Sequence, residues 1–473
     1  MNPIHSLIFG TLFEALWSIL SSKVALIAYF VLLFSCIAVM IIAVLYMTTE
    51  KKPAGKRGRR GKQKDGTDGE AGAENGAEGA AEGAAAGGEG AGLMGNLKKE
   101  EPAGQLEISE DEEITSRFHT LVQYDRAALR YVPPKHDDEI TLTEICRNFR
   151  NYAASRLGLF YSEEDIRKFI AGIGVSHLLV MQGLSGTGKT SMATAFGNYL
   201  QNPSTVISVQ PMWKERSDIV GYFNEFTKRF SEGTLLKKLY EARYTDEMYV
   251  IVLDEMNIAR VEYYFADFLS QMELSPANRY LEVVSDTWED DPQLLERGML
   301  RIPENVWFIG TANNDDSTFA ISDKVYDRAM VMNLDRKADI FEPVYNAGDR
   351  ISFTHFTKIV NEAKQAYSLS EDAIAKIQKI DEFLTDRFRV TYGNRIRRQM
   401  EEYIPVYIAC GGTETEAVDD MLAKKVLRKL DSISPVLIRY SMDALENVFE
   451  TTFGLANMPL CRDSLDRLRR NAS

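Results

Sequence analysis

Residues 183–190, GLSGTGKT, form a glycine-rich loop whose residue types and spacing could hold phosphate groups. The apolar string HLLVMQ before the loop predicts a short buried strand, and SMATAFGNYL after it predicts a helix. In the pattern G-x-x-x-x-G-K-[ST], glycines let backbone N–H groups turn toward phosphate oxygens at a helix N-terminus. Lys189 would reach the β- and γ-phosphates, and the Thr190 hydroxyl would bind Mg²⁺. The alternative interpretation is a glycine-rich turn without a ligand. The predicted phosphate-binding residues are Gly183, Ser185, Gly186, Thr187, Gly188, Lys189, Thr190 and Ser191.

A pair of acids, Asp254 and Glu255, ends a second apolar strand predicted over residues 249–253. With a phosphate loop earlier in the chain, Asp254 would hold magnesium, usually through water, and Glu255 would polarise an attacking water. Thr190 and Asp254 are therefore the predicted metal ligands. An apolar strand that ends in acids is common, so the pair predicts a magnesium site only together with the phosphate loop.

A third predicted strand, residues 306–311, leads to Asn313, whose side chain could hydrogen-bond the water or the γ-phosphate. The alternative for the polar string NNDD is a turn. Further along, Arg328 precedes an apolar strand at 329–334. It could be a surface arginine, or it could reach the γ-phosphate of a neighbouring subunit.

Strands and helices alternate through the middle of the chain. The strands predicted at about 178–182, 206–209, 249–253, 306–311 and 329–334 are separated by helical stretches. This pattern predicts an α/β fold, residues 176–350, with a parallel sheet covered by helices on both faces and nucleotide at the carboxyl ends of the strands. Residues 351–473 show helical periodicity and are predicted to form an all-helical lid. Residues 112–175 are predicted to add helices that pack on the core.

The first 111 residues differ in composition from the rest of the chain. Residues 24–47 carry no charge and are long enough to cross a bilayer, which predicts a transmembrane helix. Eight basic residues and no acid follow between positions 51 and 64, so the positive-inside rule predicts a single-pass protein with its C-terminal part in the cytoplasm. Residues 48–111, basic and then rich in Gly, Ala and Glu, are predicted to be a flexible linker. Residues 1–23 are predicted to be an amphipathic interfacial helix or to pack against neighbouring anchors.

Composition excludes several classes of protein. The 473 residues include 55 Lys+Arg and 69 Asp+Glu, a net charge of −14, so no global basic field would attract nucleic acid. The four cysteines are far apart in sequence and form no C-x-x-C pair, which argues against a disulfide scaffold and against a zinc site. We expect each cysteine to be a small buried apolar residue.

The order of these motifs resembles that of the AAA+ ATPases, and within them the McrB-type, dynein-related branch. The resemblance runs from about residue 160 to the C-terminus and rests on the strings LLVMQGLSGTGKTS, SDIVGYFNEFTKRF, LDEMNIARVEYYFADFLSQME and IPENVWFIGTANNDDSTFAISDKVYDRA. It implies that 183–190 is Walker A and 249–255 is Walker B, that Asn313 is sensor 1 and that Arg328 is an arginine finger. It also implies a nucleotide-binding arginine in the lid, for which Arg395 is the candidate and Arg398 the alternate.

The sequence departs from McrB at two points. McrB proteins carry M-N-x-x-D at sensor 1, whereas in this chain Ala312 stands in place of Met and Asn313 and Asp316 are kept. McrB restriction proteins begin with a DNA-reading domain, whereas this chain begins with a predicted membrane anchor. GTP preference, an McrC-like activator and recognition of modified DNA are therefore not carried over.

Three functions are compatible with these features. The first is a membrane-anchored NTPase that uses Mg²⁺ and ATP, with GTP as the alternative. It assembles with itself into a ring, expected to be a hexamer, and remodels a protein or nucleic-acid partner; an unidentified protein client or activator is expected. The second is a nucleotide-gated binding module at the membrane with little turnover. The third, by analogy with McrB, is a defence-type motor that acts on DNA with a separate nuclease.

Overall fold

The computed structural model describes residues 106, 114–313 and 318–472, and all of these belong to one compact unit. The segments predicted at 1–23, 24–47 and 48–111 therefore lie outside the described residues, apart from Leu106. None of the helices in the described part of the chain is both long and apolar enough to span a bilayer.

The central sheet contains five parallel strands, and the other strands form two smaller antiparallel sheets. In chain order the strands are β1 Leu178–Gly183, β2 Thr205–Ser208, β3 Gly221–Asn224, β4 Arg229–Glu232, β5 Tyr249–Asp254, β6 Tyr280–Glu282, β7 Leu295–Glu296, β8 Met299–Arg301, β9 Val306–Asn313 and β10 Met330–Asn333. The central sheet has the order β10-β1-β9-β5-β2, and each neighbouring pair is parallel. The five strands predicted from the sequence are confirmed, with ends shifted by at most two residues.

Helices precede the sheet, cover it and follow it. Before and between the strands they are α1 His119–Ala128, α2 Leu142–Leu157, α3 Glu163–Val175, α4 Lys189–Tyr199, α5 Arg216–Val220, α6 Thr234–Ala242, α7 Val261–Tyr264, α8 Ala266–Gln271 and α9 Asp323–Tyr326. After the sheet they are α10 Phe353–Ala366, α11 Glu371–Phe388, α12 Asn394–Ala409, α13 Glu414–Met421, α14 Pro435–Thr452 and α15 Pro459–Ala472. A π-helical segment, Leu422–Val426, and a 3₁₀ segment, Leu427–Ser432, continue α13. The predicted helical C-terminal region is confirmed, since no strand follows β10 within the described residues.

Apart from the edge strand β2, which is partly exposed, the parallel sheet is buried on both faces because its side chains alternate between two cores. On β1, Leu179 and Met181 pack with α2, α3, α4 and the C-terminal helices. Leu178 and Val180 point to the other face and pack with α1, α6, α7 and α8. Near-continuous apolar strands are expected for a sheet covered in this way, which is why the sequence pattern located them.

A segment before the sheet, residues 114–121, bonds to the two antiparallel additions, and we call it the N-terminal clasp. Its Arg117 side chain is 1% exposed, forms a bidentate pair with Asp291 at 2.8 Å, and lies 4.5 Å from the centre of the Trp288 ring. The N–H of Phe230 in β4 donates to the Arg117 carbonyl at 2.8 Å. The Glu232 carboxylate accepts from the first backbone N–H groups of α1. The clasp thus joins the β3–β4 hairpin to the loop that precedes β7.

Candidate functional site

The loop at residues 183–190 leaves the end of β1 and enters α4. Gly183, Gly186 and Gly188 have φ angles of 142°, 78° and 91°, which residues with a Cβ rarely adopt. A Cβ on Gly183 would also lie 2.4 Å from the Leu334 carbonyl oxygen. Glycine therefore permits the backbone path that sets the loop on the N-terminus of α4, where N–H groups favour an anion. Ser185 is exposed, the Thr187 hydroxyl donates to the Leu184 carbonyl at 2.9 Å, and Ser191 lies in the first turn of α4.

Lys189 is buried at 6% exposure and folds back over this loop. Its Nζ donates to the carbonyl oxygens of Gly183 at 3.0 Å and Leu184 at 2.8 Å. Burial lowers the pKa of this ammonium, and the carboxylates of Asp335, Asp254 and Glu255 oppose the shift. A cation is thus held where the loop would enclose phosphate oxygens.

The two predicted acids meet the loop at the carboxyl end of β5. The Asp254 Oδ1 atom accepts from the Thr190 hydroxyl at 2.6 Å and from the Thr311 hydroxyl at 2.9 Å. The Glu255 N–H donates to the same Thr311 oxygen at 2.9 Å, and Glu255 is exposed. Its φ of 53° is in the left-handed region, which is uncommon for a residue with a Cβ and costs backbone strain. The backbone of Glu255 is therefore fixed at the edge of the site, and its side chain is exposed there.

The sequence analysis missed Thr311 as a site residue, although the strand register contains the signal. Leu253 pairs with Gly310 across β5 and β9, so the next residues, Asp254 and Thr311, come side by side. Thr311 follows Gly310 as Asp254 follows Leu253, so its hydroxyl could have been selected as a neighbour of the Asp254 carboxylate.

Asn313 is the last residue of β9 and pairs in register with Gly183 at the end of β1. Its carbonyl oxygen accepts from Asn257 Nδ2 at 2.9 Å and from the Thr318 hydroxyl at 3.0 Å. Asn257, which the sequence analysis did not select, is 4% exposed, and its Oδ1 has no hydrogen-bond partner among the described residues. Asp316, kept from the McrB pattern, lies among residues 314–317, outside the described residues. The structure thus brings Asn313 to the same edge of the sheet as the loop.

A cavity of about 1010 Å³ adjoins this edge. Its walls include Gln182, Asn313 and Asp335 from the α/β part and Lys424 and Arg428 from the C-terminal helices. Asp335 Oδ1 also lies 3.0 Å from the position of a Cβ on Gly183, so one wall of the cavity is next to the first residue of the loop, whereas residues 183–190 and the two acids do not line it. Its volume is large enough for a nucleotide-sized ligand.

Arg328 lies at the opposite edge of the sheet from the loop. The Ser176 hydroxyl, just before β1, donates to the Arg328 carbonyl at 3.2 Å. Six-residue β1 spans about 20 Å, which separates Arg328 from the loop of its own chain. The guanidinium pairs with Glu273 and donates to the carbonyls of Leu269 at 3.1 Å and Lys324 at 2.7 Å.

Arg395, expected to bind nucleotide from the lid, lies beside Arg328 rather than beside the loop of its own chain. Its Nη2 pairs with Glu273 Oε1 at 2.5 Å, the oxygen that also binds Arg328. Arg395 is the second residue of α12, and this end of the helix lies beside Glu273, just after α8. The alternate, Arg398, is 81% exposed and pairs with Glu402 at 2.9 Å. The structure therefore brings neither lid arginine into contact with the loop residues of the same chain.

Comparison with known proteins gives this arrangement a family context. Residues 178–329 match the AAA domain of the dynein-related subfamily. The Type IV methyl-directed restriction enzyme EcoKMcrB subunit of Escherichia coli K12 is 26% identical over 172 residues, 35% of this chain and 36% of the relative. The chain thus matches about a third of the length of that curated relative.

Two solved structures are similar at lower levels. A candidate ATPase from Cytophaga hutchinsonii has a TM-score of 0.41 and 13% identity, covering 70% of this chain and 96% of its own. A full-length MCM homologue from Methanopyrus kandleri has a TM-score of 0.33 and 12% identity, covering 66% and 61%. The family match covers residues 178–329, which contain the phosphate loop and four of the five parallel strands, so this part of the chain is similar to an AAA domain of the dynein-related subfamily.

Proposed function

We propose that this protein is a membrane-anchored ATPase that hydrolyses ATP with Mg²⁺ and uses the energy to remodel a partner. The observation that carries the proposal is the hydrogen-bonded chain Thr190–Asp254–Thr311, which links the phosphate loop to both acids. A glycine-rich turn without a ligand would not need a buried lysine and two acids beside it.

The residues present fit a magnesium ion. Mg²⁺ prefers oxygen ligands, and the Thr190 hydroxyl and the Asp254 carboxylate lie 2.6 Å apart at the end of the loop. These two groups would hold the ion, directly or through water. When bound, Mg²⁺ neutralises charge that develops on the phosphate oxygens.

The roles of the other residues follow from their positions. Lys189 and the N–H groups at the start of α4 bind and orient the phosphates. Glu255, whose backbone N–H is bonded to Thr311 and whose side chain is exposed, accepts a proton from the attacking water and orients it. Asn313, at the end of the neighbouring strand, is positioned to hydrogen-bond the same water or the γ-phosphate.

The two arginines at the far edge support assembly into a ring, which we propose to be a hexamer. Arg328 and Arg395 share one oxygen of Glu273, about one strand length from the loop of their own chain. They can complete a nucleotide site only in a neighbouring subunit, where their positive charge would stabilise the transition state. Arg395 thus keeps a nucleotide-binding role in this proposal, but in trans.

Two features of the proposal rest on the sequence. Residues 24–47 anchor the protein in the membrane, with the ATPase part in the cytoplasm. The partner that it remodels is an unidentified protein or nucleic acid. Affinity capture with a variant that binds ATP without hydrolysing it identifies this partner.

Two substitutions in the full-length protein test the proposed site. We expect Lys189→Ala to abolish ATP hydrolysis and to weaken binding of a fluorescent ATP analogue. Glu255→Gln should keep binding but reduce hydrolysis by at least about 100-fold, because the base is lost while the phosphate contacts remain. Glu282→Gln, an exposed acid on β6, is the matched control and should behave as wild type.

The outcomes separate the proposal from its alternatives. Hydrolysis that survives both Lys189→Ala and Glu255→Gln would refute the assignment of the site. Tight ATP binding with negligible hydrolysis by the wild type would instead indicate a nucleotide-gated binding module.

A second candidate function, a defence-type motor on DNA with a separate nuclease, is favoured by the similarity to the EcoKMcrB subunit. Duplex DNA that stimulates hydrolysis in a salt-dependent manner would support it.

A further inference from the structure

The turn that carries Arg328 is held by side chains of the C-terminal helices. We call residues 326–329, between α9 and β10, the finger turn. Lys425 Nζ donates to the Tyr326 carbonyl at 2.6 Å and also to the Ala329 carbonyl. One lysine therefore binds both ends of the four-residue turn, although it lies about a hundred residues further along the chain.

Lys425 is almost fully buried, which is uncommon for a lysine. It is 2% exposed within the π-helical segment Leu422–Val426, and the described residues place no carboxylate at ion-pair distance from its ammonium. Burial lowers its pKa to about 7, which Asp327 opposes and Arg428 reinforces. A methionine would fill the same space without this desolvation cost. The lysine is therefore explained by the two carbonyls that it binds, and π-helical turns are frequent at functional sites.

Two further side chains of the same region contact the turn. Gln399 Nε2 on α12 donates to the Asp327 carbonyl at 3.2 Å. The Arg428 guanidinium lies 3.9 Å from the centre of the Tyr326 ring and pairs with Asp323 at 2.7 Å. The finger turn is thus bound at residues 326, 327 and 329 by side chains of the C-terminal helices.

The finger turn also contacts β1, the strand that leads into the phosphate loop of its own chain. The side-chain amide of Gln182, the residue before Gly183, donates to the Tyr326 hydroxyl. Tyr326 therefore accepts one hydrogen bond from Gln182 at its ring hydroxyl and another from Lys425 at its backbone carbonyl. A contiguous path connects the nucleotide site, the C-terminal helices and Arg328.

We propose that Lys425 is a positioning residue that fixes the finger turn so that Arg328 is presented to the nucleotide of the neighbouring subunit. This inference rests on the proposed function and deepens it. The C-terminal helices of one subunit then determine the activity of the next subunit's site. Lys425 touches no substrate and acts only through the turn.

The test uses full-length protein and the variant Lys425→Met, which keeps an unbranched side chain one atom shorter and removes the donors. Hydrolysis by Lys425→Met alone should fall by at least about tenfold, part of the roughly 1,000-fold or more that an arginine finger contributes. Binding of a fluorescent ATP analogue to its own loop should stay within about twofold of wild type. Lys429→Met, which removes a half-buried lysine bonded to the Thr391 carbonyl at 3.3 Å, is the matched control and should be unchanged.

Mixing of subunits distinguishes positioning of the finger from general damage. The reference pair is Lys189→Ala with Arg328→Ala, in which intact loops meet intact fingers at mixed interfaces and hydrolysis is regained. Lys425→Met should regain hydrolysis with Lys189→Ala, which supplies a sound finger, and not with Arg328→Ala. The opposite pattern, recovery with Arg328→Ala only, would overturn the inference.

The outcomes separate this inference from the proposed function. If the reference pair regains no hydrolysis, the finger in trans is refuted, and the positioning role of Lys425 is refuted with it. If the reference pair recovers but Lys425→Met does not recover with Lys189→Ala, the inference alone is refuted. Should Lys425→Met fail to fold, Gln399→Ala removes the bond to Asp327 and must show the same pattern of recovery, with a smaller initial loss.

Discussion

His177 is the residue before β1, at the amino edge of the sheet. The loss of stability in acid is a quantitative test of how its side chain is packed. Its ring stacks on Trp307, with centres 5.4 Å apart, and its Nε2 donates to the Glu304 carbonyl at 2.8 Å. Burial, reinforced by Arg279, lowers the pKa of His177 to about 4. The ring is therefore neutral in the folded protein at neutral pH.

The size of the effect follows from the difference between the two states. A histidine in the unfolded chain has a pKa near 6.5, so between pH 6.5 and about 4 the unfolded state binds a proton that the folded state does not. The stability is fully present above pH 6.5 and is lost as the pH falls through this window. The difference of about 2.5 in pKa corresponds to about 3 kcal/mol of unfolding free energy.

The comparison uses His177→Gln, whose amide can still donate to the Glu304 carbonyl but does not titrate. Urea unfolding followed by circular dichroism at pH 7, 5.5 and 4 gives the unfolding free energy of both proteins. Wild type should lose about 3 kcal/mol more than His177→Gln between pH 7 and 4. Equal losses in the two proteins would show that His177 is not buried as a neutral ring and would refute the reasoning.

Two further substitutions test the site and the core of the sheet. Thr311→Val removes the hydroxyl that bonds Asp254, so hydrolysis should fall about tenfold with ATP binding unchanged, while Thr311→Ser should retain most activity. A full rate for Thr311→Val would contradict the proposed alignment. Gly310→Ala places a Cβ 2.0 Å from the Met256 sulfur and should lower the unfolding free energy by about 1–3 kcal/mol, measured by urea titration. Gly393→Ala, with nothing within 4 Å of the new Cβ, is its control and should be neutral, so equal effects would contradict the packing argument.

The central sheet and the loop could be predicted because their sequence signals are local. The buried parallel strands are continuous apolar runs, and β5 and β9 end in polar residues of the site, as Leu253 is followed by Asp254. The antiparallel additions were not predicted, because their strands have only two to four residues. The β3 strand in addition has no fully buried residue, so it lacks a clear hydrophobic pattern.

The placement of charged side chains in the C-terminal helices could not be predicted. Lys424 and Lys425 stand in a helical string and would ordinarily face solvent, yet both are at most 8% exposed. Arg395 likewise follows a motif that says nothing about which edge of the sheet its helix will face. These positions depend on how the C-terminal helices pack against α9 and α3, which involves residues far apart in sequence.

The N-terminal clasp limits how far the chain can be shortened from its N-terminus. Asp291 is 7% exposed and accepts two bonds of 2.8 Å from Arg117, so a fragment that starts after α1 would leave a carboxylate without its cation in the interior. The same cut would uncover the Trp288 ring and free the end of β4. Expression fragments of the ATPase part should therefore begin upstream of residue 114.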